Sequence, residues 1–348
     1  MFQAWGWAKR GVYFGLLVCG LARGQHPPSI TTGTVEFVPT DAEPTVAERF
    51  RQSRHSFTWE ARRMTPVSTN FDVYDVTFPS PVRTAVERNN TVPCEYYQPT
   101  KPGPRPAVIV LHILGGDFPL SRVFCNALAQ HGVAALFVKM PYYGPRRDPT
   151  SPARMVSTDP KATVEGLTQA VLDIRRATAW LAARPEVDAD QLGIFGISLG
   201  GITSSLAATN EPRLQNVCML LAGGDVASVA WESLEVRGIK DKWLAGGGTR
   251  EQFVEVLKQV DPVTYAAGAR GKRILMLNAT HDEVIPRACT EALWKSLGEP
   301  EIHYYSGGHY TVMRHIFSAL NRVPLFFAAT EKKAQASAPP NLPAPAMP

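Results

Sequence analysis

The sequence predicts an α/β fold in which a mostly parallel sheet carries helices on both faces. Three observations support this. Short apolar runs recur at residues 107–111, 133–138, 216–221 and 273–278, as expected of strands covered on both faces. Amphipathic or small-residue helices are predicted between them, and strands alternating with helices imply a parallel sheet. The polar residues able to do chemistry come just after these runs, where ligands of such sheets bind.

The 348 residues, 45% of them hydrophobic, suffice for a large core. The formal charge is +5, and three cations, Lys9, Arg10 and Arg23, lie in an acid-free stretch at the N-terminus. The other basic residues are scattered, which argues against a nucleic-acid surface. Residues 1–24 read as an export signal. Lys9 and Arg10 precede an apolar run over 11–21, and Ala22 and Gly24 are small residues suited to cleavage before Gln25. The run is too short for a membrane span. A periplasmic or extracellular location is expected. Lipidation at Cys19 is the less favoured alternative, because Val18 stands where a small residue is wanted. Cys94, Cys125, Cys218 and Cys289 show no zinc-site spacing, and no metal or cofactor is expected.

In chain order, residues 25–70 are rich in Pro, Thr, Arg and Ser and are expected to form an extended N-terminal arm with one helix over 45–54. Residues 71–78 alternate apolar and polar, as in a half-buried strand, and 95–97 read as a second short strand. The catalytic domain is expected to span 71–330. After strand 107–111 come a helix over 120–130, strand 133–138 and the loop Met140-Pro-Tyr-Tyr-Gly-Pro-Arg-Arg. Val164, Leu167, Val171, Ile174, Thr178 and Leu181 mark one face of a long helix. Arg175, Arg176 and Arg184 lie toward its C-terminal part, where cations suit the helix dipole. Residues 225–271 break the rhythm and read as a cap-like excursion over the sheet edge, with a helix over 250–260. A strand over 273–278, a helix over 287–297, a strand over 301–305 and a helix over 311–327 complete the domain, and the Ala/Pro-rich 331–348 are expected to be disordered.

The segment QLGIFGISLGG, residues 191–201, runs from an apolar strand into a small-residue helix through Gly196-Ile197-Ser198-Leu199-Gly200. A G-x-S-x-G sequence at a strand-to-helix turn lifts its serine above the sheet edge. Glycines two residues to either side remove side chains that would clash there. A serine needs a base within hydrogen-bond reach, and the base an orienting acid. His309 follows the last strand in a Gly-Gly-His turn and is the candidate base, ahead of His303 and His315. Asp282 follows the penultimate strand and is the candidate acid, with Glu283 and Asp225 as rivals. Two backbone N–H groups are expected to hold the oxyanion. One comes from Leu199, and the other from the loop after residue 111, at Ile113 or Leu114, with Leu114 taken. Tyr142 and Tyr143 are candidate substrate-binding residues.

These pieces resemble the α/β-hydrolases, within the branch of dienelactone-hydrolase-like and acetyl-xylan-esterase-like bacterial serine esterases. The resemblance covers roughly residues 108–327, in VIVLHILGG, DIRRATAWLAARPEVDADQLGIFGISLGG, ILMLNATHDEVIP and YYSGGHY. It implies an α/β-hydrolase fold and the chain order Ser198, Asp282, His309. Two departures matter. Dienelactone hydrolases proper carry cysteine where Ser198 stands, so lactone chemistry is not implied, and Ile113 replaces a glycine that follows the histidine in many relatives. The activity expected is hydrolysis of small-molecule or carbohydrate-linked carboxylic esters through an acyl-enzyme, with a short acyl group. Peptidase activity is the alternative within enzymes. A non-catalytic binding protein on the same fold is the alternative outside them.

Overall fold

Apolar runs form the central strands. The computed structural model describes residues 30–329 apart from 65, 67 and 117. It begins with β1 (Ile30–Phe37), β2 (His55–Arg63), β3 (Phe71–Pro79) and β4 (Thr91–Pro99). Next come β5 (Arg105–Leu111), α1 (Phe118–Gln130), β6 (Ala134–Val138), α2 (Pro160–Ala182), β7 (Val187–Ile197) and α3 (Leu199–Asn210). β8 (Asn216–Leu220) leads into the short helices α4 (Val226–Glu232), α5 (Arg237–Ala245) and α6 (Arg250–Leu257). β9 (Arg273–Ala279), α7 (Arg287–Ser296), β10 (Glu301–Tyr305) and α8 (Ile316–Ala328) complete the described chain.

The ten strands make one sheet in the order β1-β2-β3-β4-β6-β5-β7-β8-β9-β10. Pairing is antiparallel from β1 through β4 to β6, and parallel from β6 through β5 to β10. The expected mostly parallel sheet with helices on both faces is therefore present. Strand β5 shows how both faces are filled. Ile109 and Leu111 pack in one apolar layer with Val171, Ile174 and Leu181 of α2, while Val108 and Val110 pack in the other with Phe124 and Leu128 of α1 and Phe327 of α8. Each such buried aliphatic side chain contributes about 1.5–3 kcal/mol. Helix α2 starts at Asp159, whose carboxylate accepts from Lys161 N–H, with Pro160 in the first turn.

Two expectations are corrected. Within the predicted arm, residues 30–63 contribute two sheet strands, and two short 3₁₀ turns (Glu43–Thr45, Glu48–Phe50) replace the helix expected at 45–54. Phe57, Trp59 and Ala61 alternate with polar residues, a period-2 pattern that the Pro-, Thr-, Arg- and Ser-rich composition of the segment outweighed. Val35, Phe37, Phe50 and Phe57 belong to the core. Second, Arg175 and Arg176, expected to suit the dipole in the C-terminal part of α2, are held by partners outside the helix. Arg175 is buried and paired with Glu211 and Glu43, and Arg176 donates to the Pro79 carbonyl, so α2 is cross-linked to the N-terminal strands. Residues 225–271, read as a cap-like excursion, form α4, α5 and α6. They connect β8 and β9, which are interior neighbours, and their helices pack on α2 and α7. Among the described residues no helix is long and apolar enough to cross a membrane. The expected export signal and C-terminal tail lie outside the described residues.

Candidate active site

Ser198 stands at the junction of β7 and α3 with φ 54° and ψ −117°. A non-glycine residue is costly there, and such strain persists only where the surroundings enforce it. Here Ser198 N–H donates to the Leu220 carbonyl of β8 at 2.8 Å, and Ile202 N–H returns to the Ser198 carbonyl at 3.0 Å. Gly200 makes the turn possible, since a Cβ at that position would lie 2.6 Å from the His112 carbonyl oxygen. Helix α3 therefore begins tight against the end of β5, and its N-terminus lies beside the serine.

His309 Nε2 lies 3.0 Å from Ser198 Oγ, and its Nδ1 lies 2.9 Å from both carboxylate oxygens of Asp282. Both Ser198 and His309 are 7% exposed. Asp282 Oδ1 accepts from the backbone N–H groups of Val284 and Ile285 at 2.9 and 2.7 Å, which fixes its plane. The loops after β9 and β10 are joined by Thr280 N–H to the Tyr305 carbonyl and His281 N–H to the Gly307 carbonyl, each 2.9 Å. Asp282 and His309 thus follow neighbouring parallel strands whose ends are tied together. With Asp282 on Nδ1–H, Nε2 is free to accept the serine proton.

The rival residues lie elsewhere. Asp225 caps α4 by accepting from Ser228 N–H. His303 packs edge-on against the Tyr305 ring at 4.8 Å, and His315 stacks on the same ring at 5.3 Å. Glu283 has its own role, which the sequence did not reveal. Its Oε2 accepts from His309 backbone N–H at 2.8 Å.

The loop after β5 is set by His112, which is fully buried. Met140 N–H donates to its Nε2 at 3.1 Å and its Nδ1–H donates to the Ile113 carbonyl at 2.9 Å. Burial pushes the imidazole down to about 4, so it is neutral and suits both bonds. Gly116 N–H also donates to the Ile113 carbonyl, at 3.0 Å. The Leu114 N–H belongs to the same planar trans peptide and points the opposite way. Leu114 lines the cavity beside Ser198, as does Leu199.

That cavity holds about 720 Å³, counting space open to solvent at its mouth. Val226, Val229, Ile239, Leu257 and Ile285 are among its walls, so α4 to α6 supply one side of it. Tyr142 and Tyr143 do not line it. The sequence placed them on a strand-end loop, but that loop folds back under itself. Tyr142 N–H donates to Asn89 Oδ1, and the Tyr143 ring packs edge-on against His112 at 4.6 Å. Buried Arg146 holds the loop down by donating to the Lys139 and Asn89 carbonyls and pairing with Asp173 at 2.8 Å.

A family model described as alpha/beta hydrolase domain containing 18 matches residues 38–236, more than half of the chain. The chain belongs to this alpha/beta hydrolase family. A model of the prolyl oligopeptidase family also matches, over residues 167–322. An uncharacterized protein of Mycobacterium tuberculosis (strain ATCC 25618 / H37Rv) is 29% identical over 222 residues, which are 60% of this chain and 50% of that protein. The chain thus spans about half the length of the curated relatives it matches. Among solved structures, acetyl xylan esterase 1 from Thermoanaerobacterium sp. JW/SL YS485 superposes with a TM-score of 0.62 at 21% identity, covering 77% of this chain and 87% of that one. An acetyl xylan esterase from Paenibacillus sp. R4 gives 0.61 at 22%, covering 76% and 87%. At these identities the likeness is one of fold, and it agrees with the alpha/beta hydrolase family assignment.

Proposed function

We propose that the protein hydrolyses carboxylic esters through an acyl-enzyme on Ser198. The observation that carries this reading is the unbroken hydrogen-bonded chain from Ser198 Oγ through His309 to Asp282. Ser198 Oγ attacks the ester carbonyl as His309 Nε2 takes its proton, and Asp282 stabilises the resulting imidazolium. The oxyanion is held by the N–H groups of Leu199, at the start of α3, and Leu114. Collapse expels the alcohol, which takes the proton from His309. Water then enters with the same histidine as base, releases the acid and restores Ser198.

The apolar walls, among them Val226, Val229 and Ile239, support an apolar acyl group, and the expected short acyl chain is kept as part of the proposal. Helices α4 to α6 act in this reading as a cap. A fluorophosphonate probe tests the nucleophile. Wild type labels, and Ser198→Ala does not, with kcat on aryl esters lowered by about 10⁴ or more. Equal labelling of the two would refute the mechanism.

A second reading, a peptidase, is favoured by the match to the prolyl oligopeptidase family over residues 167–322. A matched aryl ester and anilide of the same acyl group separates the two, since an esterase leaves the anilide uncut. We also infer export from Lys9, Arg10 and the apolar run after them. N-terminal sequencing of the native protein tests it, with Gln25 as the expected first residue.

A further inference from the structure

Among the described residues the two most exposed large apolar side chains are Phe317, at 81%, and Leu234, at 78%. Leu234 follows α4 and lies between Ser233 and Glu235, which both line the cavity beside Ser198. Glu235 is exposed, so this part of the wall stands at the cavity's opening. Partial burial raises its carboxyl and the His309 imidazole draws it down, which places the histidine close to that opening. A second group begins beside His309. The Tyr310 ring stands edge-on to the His309 ring at 5.4 Å and is 54% exposed. Met313, 45% exposed, and Phe317 follow at three- and four-residue spacing through the 3₁₀ turn Thr311–His315 and the start of α8, so the three share one helical face. Met313 also lines, with Leu120 of α1 and Ile316, a half-open apolar cleft of about 320 Å³. Apolar side chains thus stand in water on two sides of the opening, after α4 and on the turn that follows the base. Clustered exposure of this kind marks a face that meets another apolar surface.

We propose that this rim seats the protein on the surface of an aggregated, uncharged ester, from which substrate passes directly into the cavity. Continuity with the cavity selects this occupant. A protein, or a second copy of this chain, seated on Leu234 and Tyr310 would cover the opening between them and keep substrate out. A surface made of the substrate meets the same side chains and delivers the ester to walls built from Val226, Val229, Ile239 and Ile285. Charge argues against an anionic membrane, which is gripped by clusters of Lys and Arg. Between residues 310 and 317 there is one arginine, Arg314, and it donates to the Ser306 carbonyl. The Glu235 carboxylate at the opening would be repelled by such a membrane. The inference rests on the esterase reading for the identity of the occupant, but docking itself is measured without turnover.

The test mixes the full-length Ser198→Ala protein with an emulsion of tributyrin, separates the droplets by centrifugation and measures the partition coefficient. The protein is expected to collect on the droplets. Adding Met313→Ser and Phe317→Ser together lowers the coefficient about tenfold or more, and adding Leu234→Ser alone lowers it about threefold. Vesicles of phosphatidylserine bind no more protein than vesicles of phosphatidylcholine. An unchanged thermal unfolding transition shows that each variant is folded, and Phe317→Ser alone, at the most exposed position, replaces the pair should the pair unfold. No binding to droplets, binding that survives either set of changes, or a preference for phosphatidylserine overturns the proposal. A dimer in light scattering that the double change dissolves would assign the face to a second copy and overturn it as well. Hydrolysis by wild type is scored separately on dissolved p-nitrophenyl acetate. Droplet binding without that hydrolysis would defeat the role of Ser198 and leave the docking face standing, and hydrolysis without droplet binding would do the reverse.

Discussion

Asp282 and Glu283 are adjacent acids with different partners, one on the His309 ring and one on its backbone. Chain order favoured Asp282, but adjacency alone did not distinguish them, because a one-residue step reverses which side chain reaches the base. The structure gives Glu283 a positioning role, since its carboxylate fixes the peptide from which the imidazole hangs. Glu283→Ala is expected to lower kcat about tenfold with KM little changed, as loss of one charge-assisted hydrogen bond would. Glu283→Gln, whose amide oxygen still accepts, should recover most of it. Steady-state kinetics on an aryl ester check this, and a purely structural role for Glu283 would instead lower thermal stability with kcat per folded molecule unchanged.

At the scale of elements, the central strands and the strand-turn-helix around Ser198 were legible because burial on both faces leaves uninterrupted apolar runs. The N-terminal strands β1 and β2 were not, since the Pro-, Thr-, Arg- and Ser-rich composition of residues 25–70 outweighed their alternation. The tyrosine loop was misread for a related reason. Position after a strand places residues near the ligand end of a sheet but does not say which way the loop turns, and buried Arg146 decides that through the Lys139 and Asn89 carbonyls. Helix α4 lies in the segment whose path was not readable, and it forms a wall of the cavity. Val229→Trp should fill that wall and shift the preferred acyl chain toward acetate, lowering kcat/KM for hexanoate relative to acetate by about tenfold or more. An aryl ester series of increasing chain length checks it. An unchanged chain-length profile would place the acyl group elsewhere.

For the whole molecule, two buried groups predict acid sensitivity. His112 titrates at about 4 in the fold against an ordinary 6.5, because burial disfavours the cation. The unfolded chain then binds the extra proton, so stability falls as pH drops from about 6.5 to about 4. Glu95 is buried, which alone would raise its carboxyl, but Arg122 and Lys139 outweigh this and hold it down from 4.5 to about 2. Its contribution is present above about 4.5 and is lost as pH falls toward 2. Each shift corresponds to roughly 3 kcal/mol. Urea unfolding at a series of pH values should show a loss beginning below pH 6.5, which His112→Asn reduces, and a second loss below about 4.5 that remains in that variant. A flat profile between pH 7 and 5 would show that His112 is solvated in the native protein.

By itself the sequence determined the fold class and the strand-to-helix turn at Ser198. These depend on local chemistry: runs of β-branched residues, glycines where no Cβ fits, and polar residues at strand ends. Tertiary structure alone decided which acid meets the histidine ring, where Tyr142 and Tyr143 pack, and what lines the cavity. Those outcomes depend on contacts between residues far apart in the chain, such as Ser198 with His309 or Arg146 with Asn89, and they follow from how loops close over the sheet, which no local pattern encodes.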